Sequence, residues 1–285
     1  MTNDLDYTIA LARQVKATGA RWMLDLHYSD TWADPAKQFK PAAWARLPFP
    51  ELVATLRAYT RGVLERFVRA GVTPDYVQLG NEITNGLLWP DGRVEYREND
   101  AAAWNRLNQL LTAAYAGLDD AFPGGGRPLA VLQIESPNQP QRALWFCRRA
   151  AESGWKFDVI GVSYYPEWHG DLDTLRATLT ARARAFRKPV LVVETAYPWK
   201  WDEHWDARKA SLTWPVTPEG QRQFLRDVAQ VVRDLPDGLG AGVVYWHPES
   251  VRVSGLHAWV GGSCALFDDQ GNLLPAADFA AASAR

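Results

Sequence analysis

Short β-prone runs alternate with longer amphipathic runs along the whole chain, and this alternation restricts the fold more than any single residue does. The β-prone runs are "RWMLDLHYS" (21–29), "DYVQLGNE" (75–82), "PLAVLQIES" (128–136), "DVIGVSYYP" (158–166), "KPVLVVETAYP" (188–198) and "GAGVVYWHPE" (240–249). Helices are expected over 4–18 (ending at Gly19), 50–71 (closed by Gly71), 99–121 (with an Asn or Asp cap), near 140–153, near 171–186, and over 217–235, where Thr217 is the cap and Pro218 takes the first helical position. Strands that alternate with helices over short connections form right-handed βαβ units and a parallel sheet. The sheet can be doubly wound or closed as a (β/α)8 barrel. Polar and apolar residues alternate within the runs: Asp25 and His27 against Leu24 and Leu26, Gln78 and Glu82 against Val77 and Leu79, Gln133 and Glu135 against Leu132 and Ile134. A doubly wound sheet is apolar on both faces, whereas a barrel lumen turns polar toward its catalytic end. The pattern favours the barrel, but only six strands are visible and the chain opens on a helix.

Charge and composition exclude several partners. A net charge of −2 steers the chain toward neither nucleic acid nor an anionic membrane. No apolar run is long enough to span a bilayer, and "MTNDLDYTIALARQ" lacks the basic start and apolar stretch of a signal peptide. Cys147 and Cys264 make no disulfide framework; one bridge is possible, and two buried thiols are the expectation. The outlier is 14 Trp, many beside Pro, Asp, Asn or His in stretches that read as loops, where flat rings suit sugar faces.

Glu82 ends the second run and Glu194 the fifth, both on the polar side by parity. Two carboxylates on one rim are the minimum equipment for glycoside hydrolysis: a proton donor and a nucleophile or base. An isolated Glu is more often a rim residue in a salt bridge. Here Asn81 precedes Glu82, Trp89 follows it, and Tyr197, Trp199 and Trp201 follow Glu194.

The segments "LDLHYSDTWADPAKQFKPAAW", "VQLGNEITNGLLWP", "VIGVSYYPEWHG", "VVETAYPW", "TPEGQ" and "SCALFDDQGNLLP" resemble glycoside hydrolase family 53, the arabinogalactan endo-β-1,4-galactanases, over nearly the whole chain. The resemblance implies a TIM-type (β/α)8 barrel in which Glu82 is the acid/base and Glu194 the nucleophile of a retaining mechanism, ~5–5.5 Å apart. Glu82 would hold a proton near neutral pH, above the ~4.3 of an ordinary Glu. Asn81 matches the residue contacting the sugar 2-hydroxyl, and Trp246 the aromatic floor of subsite −1. By parity, Tyr165 could donate to Glu194; a core ring is the competing reading, with Tyr164 the alternate. His27 and Asp30, in "HYSD", read as polar contacts to sugar or carboxylate, against a satisfied structural histidine. Trp32, Trp89, Trp168 and His169 lie on loops as stacking or polar contacts, against simple loop anchors.

The resemblance also accounts for the strand count. Family members begin with two strands and a helix that have no counterpart here, together with an Arg on strand two near the nucleophile. We therefore expect one catalytic barrel domain over 1–285, lacking its N-terminal strands, with Met1 internal to a longer chain. The calcium-binding run of some members is not reproduced, so neither metal nor cofactor is expected. "QIESPNQP" departs from the commonest family pattern. The implied substrate is a polysaccharide, β-1,4-galactan, acted on by a monomer outside the cytoplasm, secreted or periplasmic. The alternatives are another clan A β-1,4-glycanase, such as a mannanase, and an inactive carbohydrate-binding remnant.

Overall fold

Each of the six β-prone runs forms a strand, and each of the six expected helices forms, in a computed structural model that describes residues 4–96 and 100–283. The elements in chain order are α1 (Leu5–Ala17), β1 (Met23–Leu26), α2 (Phe49–Arg69), β2 (Tyr76–Leu79), the two-residue strands β3 (Gly86–Leu87) and β4 (Gly92–Arg93), α3 (Ala101–Ala121), β5 (Leu129–Ile134), α4 (Pro140–Glu152), β6 (Val159–Tyr164), the single turn α5 (Pro166–His169), α6 (Leu172–Phe186), β7 (Val190–Thr195), α7 (Pro218–Arg233) and β8 (Gly240–Val243). Caps explain several boundaries. Asp4, Asp100, Asp171 and Thr217 each accept a backbone N–H of the first turn, offsetting donors that a helix leaves unpaired. Asn99, the other cap considered for α3, lies outside the described residues. Gly19 and Gly71 follow α1 and α2 at φ 78° and 72°.

The sheet order is β1-β2-β5-β6-β7-β8, with β3 and β4 forming a separate antiparallel pair. The order never reverses along the chain. A doubly wound sheet requires a reversal and a singly wound barrel sheet does not. Pairs β1–β2, β2–β5 and β7–β8 are parallel, so each needs a crossover rather than a tight turn.

The strands are shorter than the runs that suggested them. β2 stops at Leu79, so Glu82 lies three residues beyond it rather than at its end. β8 stops at Val243, which puts Trp246 in the following segment. For Glu82 alternation cannot set the side chain's direction, because the backbone has left the extended region at Gly80.

Contacts group the chain into two units. The first comprises residues up to Glu135 together with Trp145–Ile160. Its core is the fully buried face of α2 (Leu52, Leu56, Leu64, Phe67) and of α3 (Leu107, Leu110, Leu111, Leu118), with Val77, Val131 and Ile134 of the strands. Much of the tryptophan surplus packs here. Trp104 stacks on Trp155 at 5.5 Å and 17°, and meets Trp145 edge-on. The indole N–H groups of Trp104 and Trp155 donate to Ser153 and Asn108, which makes burying these polar rings tolerable.

The second unit comprises Ser136–Leu144 and the chain from Gly161 onward. Tyr197 stacks on Phe224 at 4.7 Å, with Tyr164 and Trp214 around the same ring. Gln221 of α7, fully buried, donates to Tyr197 O at 2.9 Å and Ala265 O at 3.1 Å, so one amide secures the segments after β7 and before the C-terminus. Cys147 and Cys264 are both buried.

Gly220 has to be glycine: a Cβ there would run into the Pro215 carbonyl. Gly220→Ala is expected to destabilise the protein by about 1–3 kcal/mol. The midpoint of denaturant unfolding reads this, and an unchanged midpoint would refute the assigned close approach.

Candidate active site

Within the first unit the loops after β1 and β2 are tied together at one residue, Ala33. Its N–H donates to His27 Nδ1 at 2.8 Å, and its carbonyl accepts from Asn81 Nδ2 at 2.8 Å. With Nδ1 as acceptor, the His27 ring carries its proton on Nε2, which faces Asp25 Oδ2 at 3.1 Å. His27 thus organises the loop that leads to Trp32. Asp30 is exposed and accepts the Ala42 N–H at 2.7 Å, which anchors the start of a short 3-10 turn.

The turn after β2 is unusual in its backbone. Gly80 has φ 94°, and Glu82 follows at φ 49°, ψ 47°, the left-handed region. For a residue with a Cβ this conformation costs about 1–2 kcal/mol relative to the right-handed one. Surrounding contacts hold it there. The Glu82 N–H donates to Gln133 Oε1, and Gln38 Nε2 donates to Asn81 O at 2.7 Å. Gln78 Nε2 donates to Asn81 Oδ1 at 3.0 Å. Asn81 is 4% exposed, and both ends of its amide hold protein partners; each end has the valence for one further hydrogen bond. Thr84, two residues after Glu82, donates to the Glu135 carboxylate. Trp89 is half-buried, its indole N–H donating to Asn85 O at 2.9 Å and one face carrying Arg93 at 4.8 Å. Trp32 is 57% exposed, with Lys37 over its ring at 4.5 Å.

Within the second unit Glu194, inside β7 and 8% exposed, accepts a hydrogen bond from the Tyr165 hydroxyl at 3.0 Å. Tyr165 is the residue after β6 and precedes α5 in an extended conformation. Its N–H donates to His169 Nδ1 at 2.9 Å, and its ring lies edge-on to Trp168 at 5.4 Å and tilted against Trp259 at 6.2 Å. Trp168 is 46% exposed, with Arg208 above it at 5.7 Å. Trp246 is half-buried; its N–H donates to Thr195 O at 2.9 Å, and its ring meets His247 at 4.5 Å.

Asn81, Glu82, His27 and Trp89 therefore gather at the strand ends of the first unit, while Asp30 and Trp32 stand further out on the loop. Glu194, Tyr165, Trp168 and His169 gather in the second, with Trp246 joined through Thr195. Four residues near these clusters were not singled out from the sequence: Gln38, Gln78, Gln133 and Trp259. Alternation had put Gln78 and Gln133 on the polar face, which was the available signal for two of them. Gln38 and Trp259 sit in loops whose course local sequence does not encode.

Two titrating groups flank Tyr165. Burial pushes the Glu167 carboxyl up to about 7, the Arg208 charge opposing it. Burial, with the Arg182 charge adding, pushes the His169 imidazole down to about 4. The signs are opposite. Glu167's contribution to stability is complete below its ordinary 4.5 and is lost as pH rises to about 7. His169's contribution is complete above its ordinary 6.5 and is lost as pH falls to about 4. The melting-temperature difference between Glu167→Gln and the wild-type protein should therefore grow as pH rises, and that for His169→Gln as pH falls. Flat differences would mean that each group ionises at its ordinary value.

The model for glycosyl hydrolase family 53 matches residues 1–280 of the chain. A probable arabinogalactan endo-β-1,4-galactanase A of Aspergillus terreus is 37% identical over 281 residues, covering 95% of this chain and 74% of that protein. The arabinogalactan endo-β-1,4-galactanase of Cellvibrio japonicus is 33% identical over 290 residues, covering 96% and 75%. The solved GH53 catalytic domain of Ignisphaera aggregans shares the fold with a TM-score of 0.88 at 33% identity, covering 97% of this chain and 77% of that one. With the strand order, the family match and these relatives in agreement, the chain is a glycoside hydrolase of TIM-barrel type and belongs to glycosyl hydrolase family 53.

Proposed function

We propose that the protein is a retaining endo-β-1,4-galactanase that cleaves the galactan backbone of type I arabinogalactan by double displacement. Family membership and the galactanase names of its relatives support the substrate class. The observation that carries the assignment of roles is the hydrogen bond from Tyr165 to the buried Glu194 carboxylate. A hydroxyl donor fixed by Trp168, His169 and Trp259 orients that carboxylate before substrate arrives, as a nucleophile needs.

In the first step Glu194 attacks the anomeric carbon while the Glu82 carboxylic acid protonates the departing glycosidic oxygen. The bond to the leaving sugar breaks, and a covalent galactosyl ester forms on Glu194. In the second step Glu82, now a carboxylate, takes a proton from water, whose oxygen displaces Glu194 and restores the original anomeric configuration. Asn81, His27, Asp30 and the aromatic residues Trp32, Trp89, Trp168 and Trp246 are proposed as sugar contacts, with His169 and Tyr165 supporting the nucleophile side.

The test combines configuration and rescue. Glu82→Ala should lose galactan cleavage by roughly 10²–10⁴-fold, and Glu194→Gly at least as much. Azide should then yield the β-galactosyl azide from the first variant and the α-azide from the second. Proton NMR of the earliest products should show the β-anomer. An initial α-anomer would rule out double displacement, and faster cleavage of mannan or xylan than of galactan would redirect the substrate assignment.

A further inference from the structure

Three glutamines from three separate segments converge on the turn at Asn81 and Glu82, two of them on its backbone and the third on the Asn81 side chain. Gln38 comes from the loop after β1, Gln78 from β2 and Gln133 from β5, and their exposures are 1%, 1% and 0%. Gln133 Oε1 accepts the Glu82 N–H. Gln78 Nε2 approaches the same Gln133 oxygen at 3.4 Å and Asn81 Oδ1 at 3.0 Å. Gln38 Nε2 donates to Asn81 O at 2.7 Å and approaches Glu82 O at 3.4 Å. The Asn81 carbonyl, the Glu82 N–H and the Glu82 carbonyl are thus each engaged by a buried side-chain amide. Regular secondary structure would have engaged these groups by backbone partners, but Glu82 is in the left-handed region just past its strand, where the ladder has ended.

Gln38 and Gln133 bind the backbone on either side of the Asn81–Glu82 junction, and Gln78 Nε2 braces them through Asn81 Oδ1 and Gln133 Oε1, so the buried amides hold the turn to one geometry. Acid catalysis is sensitive to such geometry: a proton donor displaced by ~1 Å can lose ~10²-fold in rate. We propose that Gln133, supported by Gln78 and Gln38, is the positioning residue for the Glu82 carboxyl. It fixes the left-handed backbone from which Glu82 reaches the glycosidic oxygen. The inference rests on the assignment of Glu82 as acid/base. It differs from a general structural role, which would weaken every substrate alike.

The test separates the two by leaving group. Galactan needs its leaving oxygen protonated; a dinitrophenyl β-galactobioside does not. Gln133→Leu is expected to lower kcat/KM on galactan by about 10–100-fold, while kcat/KM on the dinitrophenyl substrate stays within about twofold, since Glu194 attack does not depend on Gln133. Gln133→Glu retains an oxygen acceptor for the Glu82 N–H. It should restore most of the galactan activity and move the basic limb of the pH profile upward, because the added carboxylate makes Glu82 harder to ionise. If Gln133→Leu does not accumulate as folded protein, Gln133→Met and Gln38→Met are read by the same ratio of substrates. Equal losses on both substrates, or no loss on either, would overturn the inference. Glu82→Ala is the control: it should show the same selectivity more strongly. If it does and Gln133→Leu does not, only the positioning role falls. If Glu82→Ala keeps full galactan activity, the acid/base assignment falls, and the inference with it.

Discussion

A parallel strand cannot return to its neighbour through a tight turn, and this one constraint organises the chain. Every strand of the main sheet is separated from the next by a long crossover that carries a helix, and the order β1-β2-β5-β6-β7-β8 proceeds without reversal. Within each unit, strands paired in this way point their C-terminal ends in one direction. The loops that leave those ends are where polar side chains can collect without breaking the packing beneath. Asn81, Glu82, His27, Tyr165 and Glu194 all belong to these ends or to the loops that follow them.

The two carboxylates are held in different ways. Glu194 remains inside β7, its backbone in the ladder and its side chain steadied by the Tyr165 hydroxyl. Glu82 lies past the end of β2 in the left-handed region, so no ladder supports it and side-chain amides take over. A group inside a strand inherits its direction from the sheet. A group beyond the strand has to be given one by specific contacts, and here these are made by residues far away in sequence. The neighbouring loops follow the same logic: Ala33 is gripped at its N–H by His27 and at its carbonyl by Asn81.

The tryptophans show how far composition alone can carry an argument. Their number suggests sugar-binding rings, and Trp32, Trp168 and Trp201 are indeed exposed. Trp44, Trp104, Trp155 and Trp205 instead are buried, and the indole N–H groups of Trp104, Trp155 and Trp205 are matched to Ser or Asn oxygens. Trp89 falls between, with its N–H bonded within its own loop and a guanidinium on one face. Neighbouring Pro or Asp residues do not separate these cases, because an indole is both large enough for a core and polar enough for a rim.

Element type and order were legible in the sequence because both arise from local causes: the period of apolar residues, capping side chains such as Asp100 and Thr217, and glycines such as Gly19 and Gly71. The family was legible for a related reason, since "GNE" and "VVETAY" are short contiguous strings. Strand ends were not. Alternation in "DYVQLGNE" continues on paper to Glu82, but the backbone leaves the extended region at Gly80, and parity ceases to mean anything there. Nor could the sequence join Gln38, Gln78 and Gln133. They are 40 and 55 residues apart, and only strand pairing of β1 with β2 and of β2 with β5 brings them to one turn. Local chemistry decided which elements form. The tertiary structure decided which distant polar groups meet, because hydrogen bonds between side chains depend on distance in space and not on distance along the chain.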